Sequence, residues 1–361
     1  MIDLRSQRFY RAKAEPIDAV EVTASAPAGD FKWQLLSVRH GGVTDTYQVL
    51  VDATSADALD TAAGASAYLD NVSHFGTVHG TIAGATAEPM GAEQSNTSLV
   101  VDGEWVLKVF RRLEDGVNPD VELLTGIADC PNVAGVRGHV TRGAATIAMQ
   151  QQLIRDGVDG FDLATSDAGI ENPGELGEAI RTVHEALAEA FGTETVPGAE
   201  LARTLNEHLD HLVAGTPVLH EVEPSLRELY AQIPHGEVEI QRIHGDLHLG
   251  QTLKTPQRWF LIDFEGEPTR PLVERRRPDH TLRDVAGMVR SFGYAAAVAG
   301  RDDDWEQGYV RDLLAGYGVE RDPILAAYIA DKAAYEVAYE ANNRPDWVGI
   351  PLAAIRRLAD A

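Results

Sequence analysis

The sequence predicts a mixed α/β (α+β) protein with two lobes, of which the first is rich in strands and the second is mainly helical. Its length of 361 residues suits two domains, and its hydrophobic content of 44% is sufficient for a buried core. Strand patterns occur at residues 95–110 and 140–153, whereas apolar residues at spacings of three and four dominate from Leu176 onward. Turn-forming residues at Asp156 and Gly157 follow the last strand pattern, so we expect the boundary between residues 155 and 156.

The composition excludes several classes of function. The formal net charge is −25, from 31 basic and 56 acidic residues, whereas a nucleic-acid partner would require a basic surface. The chain has no run of about 18 apolar residues and no signal-peptide core near its start, so we expect a cytoplasmic protein with no membrane partner. A single cysteine, Cys130, rules out an intramolecular disulfide and a cysteine-based zinc cluster.

Residues 1–90 are poor in chemical motifs. Strand compositions at residues 33–38 and 46–51 flank the turn-forming pair Gly41 and Gly42, which predicts a hairpin. Residues 57–69 have the composition of a helix, and residues 75–82 alternate like one or two further strands. Composition alone assigns this region no function.

A lysine inside an apolar strand is the first chemical signal. Residues 95–110 read as two strands around the turn at Asp102 and Gly103, and Lys108 lies in the second of them. Burying its ammonium is costly unless it is paired. The alternative is an edge-strand lysine whose ammonium reaches water. Asn118 and Pro119 then predict the start of a helix.

The stretch 242–265 carries the strongest motif. His244, Gly245 and Asp246 are followed by Gln251, and two short strands at 252–254 and 258–262 would bring Asp263 back beside Gln251. Transfer of a γ-phosphoryl group requires a carboxylate that orients the attacking hydroxyl and oxygen ligands that hold Mg²⁺. Asp246 suits the first task, and Gln251 and Asp263 suit the second. The alternative is two acidic turns in an acidic protein.

These motifs resemble the aminoglycoside phosphotransferase branch of the protein-kinase-like fold, and within it the maltokinases and their glucosamine-kinase relatives. The resemblance rests on QRFYRAK at residues 7–13, HGDLHLGQ at 244–251, DFEGEP at 263–268, ERRRPD at 274–279, LRDVAGMVRSF at 282–292 and NRPDW at 343–347. Gln251 stands where the wider branch has asparagine. The longer amide still presents an oxygen to a metal ion.

The resemblance implies a bilobal protein-kinase-like fold with an N-terminal cap subdomain at 1–90, a nucleotide-binding lobe at 91–155 and a helical lobe at 156–361. It implies an ATP-dependent sugar kinase that uses Mg²⁺ and accepts a small neutral or amino sugar. Maltokinase, which makes maltose 1-phosphate for α-glucan and glycogen synthesis, is the main prediction, with functional association to trehalose synthase. The alternative is a glucosamine kinase that makes glucosamine 6-phosphate. More distant alternatives are an aminoglycoside phosphotransferase-like enzyme and a non-catalytic pseudokinase.

The resemblance also implies residue roles around the nucleotide. Asp246 would be the catalytic base, Gln251 and Asp263 the metal ligands, and Glu265 a support for metal or phosphate. Lys108 would bind phosphate and pair with Glu122. The other nucleotide-binding residues would be a turn over the phosphates and the hinge that binds adenine, namely Ser95, Asn96, Thr97, Ser98, Gln150, Gln151, Gln152 and Leu153.

A second set of implied roles concerns the sugar and the support of the loop. The sugar would contact His248, Tyr339, Glu340, Arg344 and Trp347, since sugar sites combine an aromatic platform with charged hydrogen-bonding groups. The alternative for this segment is a helix end with a buried tryptophan. His244 and Asp284 would be structural, with Asp284 bracing the catalytic loop. The alternative for Asp284 is an ordinary carboxylate at a helix N-terminus.

Overall fold

The computed structural model describes residues 2–91 and 96–359, which form two compact units. One unit contains the residues up to Ala128 together with residues 134–154. The other contains Asp129–Val133 and the residues from Arg155 onward. The residues predicted as a cap and as a nucleotide-binding lobe therefore belong to the same unit, and the division after residue 154 lies one residue before the expected boundary.

The first unit is built mainly from strands. Within the described residues its strands are β1 (Ile17–Ala28), β2 (Phe31–His40), β3 (Val43–Val51), β4 (Thr77–Gly80), β5 (Ala87–Pro89), β6 (Asn96–Val101), β7 (Trp105–Phe110), β8 (Arg112–Leu113), β9 (Val136–Arg142) and β10 (Ala145–Gln152). Its helices are α1 (Ala62–Phe75) and α2 (Pro119–Gly126), with a 3₁₀ turn at Leu4–Ser6. One sheet has the order β1-β2-β3-β8, and the other has the order β4-β9-β10-β7-β6-β5.

The predicted β2–β3 hairpin is confirmed, and the predicted helix at 57–69 is shifted. Gly41 and Gly42 make the hairpin turn with φ of +52° and +79°, a region that glycine enters without steric cost. Helix α1 begins only after Thr61, whose hydroxyl accepts a hydrogen bond from the Gly64 N–H across 3.0 Å. The preceding residues are held outside the helix, because the Ala58 N–H donates to the Leu50 carbonyl and the Thr61 N–H closes a turn on the Ala58 carbonyl.

A buried amide joins the two sheets of this unit. Gln48 on β3 is inaccessible to solvent and donates to the backbone carbonyls of Phe110 at 2.6 Å and Ile147 at 2.5 Å. Its Oε1 accepts from Trp33 Nε1 and from the Tyr68 hydroxyl, both at 3.0 Å. Because all four hydrogen bonds of this amide are satisfied, the polar group is buried without an unpaired atom.

The second unit is mainly helical. Its helices are α3 (Gly160–Thr165), α4 (Pro173–Phe191), α5 (Gly198–Gly215), α6 (Glu223–Ala231), α7 (Leu272–Arg275), α8 (Leu282–Ala299), α9 (Asp303–Tyr317), α10 (Pro323–Asn343) and α11 (Gly349–Ala359). Its strands are β11 (Val158–Asp159), β12 (Thr193–Pro197), β13 (Glu237–Gln241), β14 (Thr252–Lys254) and β15 (Trp259–Leu261). Short 3₁₀ turns lie at Pro217–Glu221, Leu249–Gln251 and Pro345–Trp347.

The core of the second unit lies among its helices. The predicted apolar stripe of α5 is buried and packs against α6 and α10, and residues of α8 and α11 belong to the same core. Strands β11, β14 and β15 form a small antiparallel sheet, and β12 pairs with β13. In the part of the chain that the structure describes, no helix combines the length and apolar character needed to cross a membrane.

Candidate active site

The segment between β13 and β14, residues 242–251, is called the HGD loop below, and His244 fixes its conformation. Nε2 of His244 donates to the carbonyl of Ile262 across 2.9 Å, while Nδ1 accepts the Asp246 N–H across 3.4 Å. These two contacts fit the tautomer that carries a proton on Nε2. The imidazole ring packs on Phe264 with centroids 4.5 Å apart. These contacts tie the loop to the strand that leads to Asp263.

Asp284, in the first turn of α8, holds the same loop from the other side. Its carboxylate accepts the N–H groups of His244 and Gly245 across 2.8 and 2.9 Å, and it contacts His184 Nε2 at 3.1 Å. Burial alone would raise the pKa of Asp284, but the His184 contact and the backbone donors hold it below its ordinary value. A Cβ at Gly287 would overlap the Leu247 carbonyl, so glycine lets α8 approach the loop closely.

The hairpin places Gln251 and Asp263 side by side. Strands β14 and β15 pair Thr252 with Leu261, and the Gln251 amide donates to Asp263 Oδ2 across 3.1 Å. Asp263 has φ of +65°, a conformation that non-glycine residues adopt at functional sites more often than elsewhere. Amide and carboxylate oxygens are the hard ligands that Mg²⁺ prefers.

The donor set here fits a metal ion that is shared with phosphates. Within residues 2–91 and 96–359, no three His, Cys, Asp or Glu side chains converge as a metal-ligand group. Mg²⁺ usually binds through one or two protein oxygens and completes its octahedron with water and substrate phosphate oxygens. Gln251 and Asp263 are thus the residues of the second unit that could hold it.

Asp246 belongs to a network of ion pairs that the sequence analysis did not predict. Lys332 Nζ lies 3.4 Å from Asp246 Oδ1 and 3.4 Å from Glu267 Oε1. Glu267 also contacts Arg270 at 2.7 Å and Arg283 at 3.3 Å. Burial alone would raise the pKa of Glu267, but the three neighbouring cations lower it to about 2. No local spacing signals these pairs, because Lys332 is 86 residues from Asp246 along the chain.

Two further predicted residues lie on the HGD loop and just after the β14–β15 hairpin. Burial lowers the pKa of His248, while the charge of Asp246 acts to raise it. Glu265 is half-buried, and its backbone carbonyl accepts from Arg275 Nη1 across 2.9 Å. His248 therefore shares the electrostatic environment of Asp246, and Glu265 is held where the chain leaves the hairpin.

Four of the five predicted sugar residues form one cluster at the end of α10, whereas His248 lies on the HGD loop. Glu340 is 1% exposed and accepts from Arg344 Nε at 2.8 Å and Nη2 at 2.6 Å. Arg344 also lies over the Trp347 ring, 4.6 Å from its centroid. The sequence did not reveal Tyr294 of α8, which donates to Glu340 across 3.0 Å and stacks on Trp347 at 6.3 Å. Tyr339 is 48% exposed at the edge of this cluster.

One face of α10 connects this cluster to Asp246. Lys332, Glu336 and Glu340 recur every four residues and so share a helix face. At 1.5 Å per residue, Lys332 and Glu340 are about 12 Å apart along the axis. Between them Glu336 pairs with Arg290 of α8 at 2.9 Å. Burial raises the pKa of Glu336, against the opposing effect of Arg290. A polar, charged face thus leads from the proposed base to the aromatic cluster.

In the first unit, Lys108 is paired with Asp120, a carboxylate that the sequence analysis did not assign to it. Lys108 is 6% exposed, and its Nζ contacts Asp120 Oδ2 at 2.8 Å. The predicted partner, Glu122, is two residues further along α2. Successive helical residues are about 100° apart around the axis, so the side chains of Asp120 and Glu122 point about 200° apart. The predicted start of α2 is confirmed, with Asn118 as its N-cap and Pro119 as its first residue.

The predicted phosphate turn at Ser95–Ser98 is largely a strand. Asn96, Thr97 and Ser98 belong to β6, because they pair with β7 in the register that places Ser98 opposite Lys108. Ser95 lies outside the described residues. Thr97 points to the opposite face of the sheet, where its hydroxyl accepts from Arg111 Nη1 across 3.1 Å.

Arg111 is part of the core of the first unit rather than a surface charge. It is inaccessible to solvent and donates to Asp57 at 2.7 Å as well as to Thr97. Its guanidinium also lies 3.9 Å from the centre of the Phe9 ring. A buried guanidinium requires such partners for its charge and donors.

The predicted hinge residues lie mostly within β10, and two neighbouring glutamines differ in their pairing. The Gln150 side chain is fully buried and bonds the N–H and carbonyl of Ala83, both at 3.0 Å. Gln151 points to the other face, which it shares with Lys108, and its buried Oε1 lacks a hydrogen-bond partner among the described residues. The backbone N–H groups of Gln152 and Leu153 donate to Gly135 and Glu104.

Comparisons with known proteins show the family and the fold of the chain. The sequence profile of the phosphotransferase enzyme family matches residues 86–322. A glucosamine kinase from Mycolicibacterium smegmatis is 25% identical over 316 residues, which cover 75% of this chain and 79% of that protein. A solved glucosamine kinase structure, crystal form B, gives a TM-score of 0.75 at 19% identity over 97% of both chains. A glucosamine kinase in complex with glucosamine, ADP and inorganic phosphate gives 0.71 at 18% identity over 94% of both. These likenesses confirm the predicted fold class.

Proposed function

The chain belongs to the phosphotransferase enzyme family, and we propose that within it the protein is an ATP-dependent sugar kinase that phosphorylates glucosamine. The observation that carries the proposal is the α10 face, which connects Asp246 through Lys332 to the cluster around Glu340 and Trp347. A hydroxyl-bearing ring stacked near Trp347 would lie along the same helix as the carboxylate that activates it.

The proposed chemistry assigns one task to each residue group. Asp246 orients the acceptor hydroxyl and takes its proton as the hydroxyl oxygen bonds to the γ-phosphorus. The bond between that phosphorus and the β-phosphate oxygen breaks, and ADP leaves. Gln251 and Asp263 would hold Mg²⁺, which neutralises phosphate charge when bound. Lys108, kept in place by Asp120, would contact the nucleotide phosphates.

Glucosamine is favoured over maltose by the relatives and by the charges. The relatives named above are glucosamine kinases, and they lend no support to the predicted maltose acceptor or to a place in glycogen synthesis. Glu336 and Glu340 on the proposed acceptor face are already paired with Arg290 and Arg344, so the charge argument rests on the net charge of −25 of the whole chain. A cationic amino sugar is attracted to so acidic a protein, whereas a neutral disaccharide gains nothing from its field.

The test is a coupled ADP-release assay with glucosamine, maltose, glucose, kanamycin and no acceptor, each with Mg²⁺ and with excess EDTA. We expect Mg²⁺-dependent release with glucosamine at the highest kcat/KM. ADP release with maltose or kanamycin but not with glucosamine would overturn the assignment of glucosamine as the acceptor. If no sugar raised ADP release above the acceptor-free rate, the proposal of a sugar kinase would be overturned.

The matched variants for this assay are Asp246→Asn and Asp312→Asn. Asp246→Asn keeps the shape of the side chain and removes the base, so kcat should fall by roughly 10²–10⁴-fold. Asp312 lies on α9 in an exposed pair with Arg311, and its variant should retain wild-type turnover. Equal rates in the two variants would remove Asp246 from its proposed role.

A further inference from the structure

Lys332 is the cation closest to the proposed base, and it comes from a distant helix. Its Nζ lies 3.4 Å from Asp246 Oδ1 and 3.4 Å from Glu267 Oε1. We infer that Lys332 is a positioning residue for phosphoryl transfer, whose ammonium holds one oxygen of Asp246 so that the other faces the acceptor hydroxyl. The inference rests on the proposed function and adds a residue that the sequence motifs do not contain.

Glu267 gives Lys332 a fixed anchor. Its carboxylate is 13% exposed and is held by Arg270 at 2.7 Å and by Arg283 at 3.3 Å. Arg283 is itself held by Asp279 at 2.9 Å. A single exposed ion pair stabilises little, because ordering the flexible lysine side chain costs conformational entropy. In a network whose other members are already fixed, that entropy is lost once while the lysine makes several contacts.

The lysine remains an ammonium in this setting. Burial acts to lower the pKa of Lys332, but the carboxylates of Asp246, Glu267 and Glu336 outweigh it and raise the pKa above its ordinary value. The opposing charge of Arg283 is the smaller influence. A positive charge therefore faces Asp246 at every pH at which such an enzyme would be assayed.

The geometry also gives the base a defined orientation. Asp246 has a backbone N–H bonded to His244 and a side-chain Oδ1 beside Lys332, so the main chain and one carboxylate oxygen are both restrained. Oδ2 is the oxygen that we assign to the acceptor proton. Correct alignment of a general base is worth orders of magnitude in rate, and small displacements reduce it.

A double-mutant cycle distinguishes a positioning role of Lys332 from a purely structural ion pair, because the two roles would affect kcat and thermal stability differently. Lys332→Met, Asp246→Asn and the double variant are compared with wild type in kcat, in the KM for ATP and in thermal melting. Lys332→Arg retains the charge and serves if the methionine variant folds poorly. Lys254→Met is the matched control, because Lys254 forms an exposed pair with Glu175 in the same unit.

We expect Lys332→Met to lower kcat by roughly 10- to 100-fold with the KM for ATP changed less than about twofold, in the range of coupling between contacting residues. In the Asp246→Asn background the same change should cost less than about threefold, since the lysine acts through that carboxylate. Lys332→Arg should recover part of the rate. The inference would be overturned if the kcat losses of the two single variants multiplied in the double variant. It would also be overturned if the loss of rate in Lys332→Met only followed the loss of folded protein.

The cycle is also run on the slow hydrolysis of ATP with water as the acceptor, which requires no sugar. If glucosamine and the other sugars are not turned over but the coupling appears in hydrolysis, the proposed function fails and the role of Lys332 stands. If glucosamine is turned over and the coupling is absent from both reactions, the role of Lys332 fails and the proposed function stands.

Discussion

Gln251 Nε2 donates to Asp263 Oδ2 across 3.1 Å, which joins the end of the HGD loop to the residue that follows the β14–β15 hairpin. We propose Gln251 Oε1 and the Asp263 carboxylate as the oxygens that coordinate a cation. Two residues that are twelve positions apart in sequence thus form one candidate ligand pair.

The first prediction concerns this pair. Asp263→Ala should raise the Mg²⁺ concentration for half-maximal rate by at least about tenfold and weaken nucleotide binding with it, because a hard anionic ligand is lost. Gln251→Leu should act in the same direction. Magnesium titrations of the ADP-release rate and calorimetric titrations with ADP measure both effects. A changed glucosamine KM with an unchanged magnesium response would contradict the assignment.

The second prediction concerns base recognition in the first unit. Gln151 Oε1, which has no hydrogen-bond partner in the part of the chain that the structure describes, shares a sheet face with Lys108 and could accept a hydrogen bond from the adenine amino group. Gln151→Leu should raise the KM for ATP by about 5- to 30-fold, as for the loss of one buried hydrogen bond, and reduce the preference for ATP over GTP. The exposed Gln257→Leu is the control and should leave both values unchanged. An unaltered ATP-to-GTP ratio for Gln151→Leu would exclude the contact.

The third prediction concerns the aromatic cluster at the end of α10. Trp347→Ala removes the surface that stacks on Tyr294 and Arg344, and should weaken sugar binding by about 1–3 kcal/mol. The loss should appear in the sugar KM while the KM for ATP stays near wild type, and Trp347→Phe should retain most of the affinity. If Trp347→Ala instead melts early and binds sugar normally at low temperature, the tryptophan belongs to the scaffold.

The fourth prediction is a pH dependence of stability from His40. Its Nδ1 lies 2.7 Å from Glu15 and its Nε2 lies 2.9 Å from Asp45. The hydrogen bonds to Glu15 and Asp45 raise the pKa of His40 above the ordinary 6.5. A raised pKa in the folded state contributes stability that is complete below the unfolded pKa and is lost as pH rises through the folded pKa.

Urea unfolding of wild type and His40→Gln from pH 5.5 to pH 9 tests this prediction. The stability difference between the two proteins should be largest at the acidic end and should shrink as pH rises. A difference that is constant with pH, or that grows toward alkaline pH, would show that His40 is not a stabilising imidazolium.

Local sequence was sufficient for the elements whose contacts are close along the chain. Gly41 and Gly42 determined a hairpin, Asn118 and Pro119 determined the start of α2, and the strands after Gln251 determined its approach to Asp263. Turn residues and strand alternation act over a few positions, so their outcome can be read from composition and spacing.

The choice of distant partners was decided only by the tertiary structure. Lys108 pairs with Asp120, which the sequence analysis did not assign to it, and the pairing of β6 with β7 turned a predicted phosphate turn into a strand. Lys332 reaches Asp246 across 86 residues because α10 packs beside α8 and the HGD loop. A side chain's partner depends on which faces meet when helices and sheets pack, and no spacing in the sequence encodes that meeting.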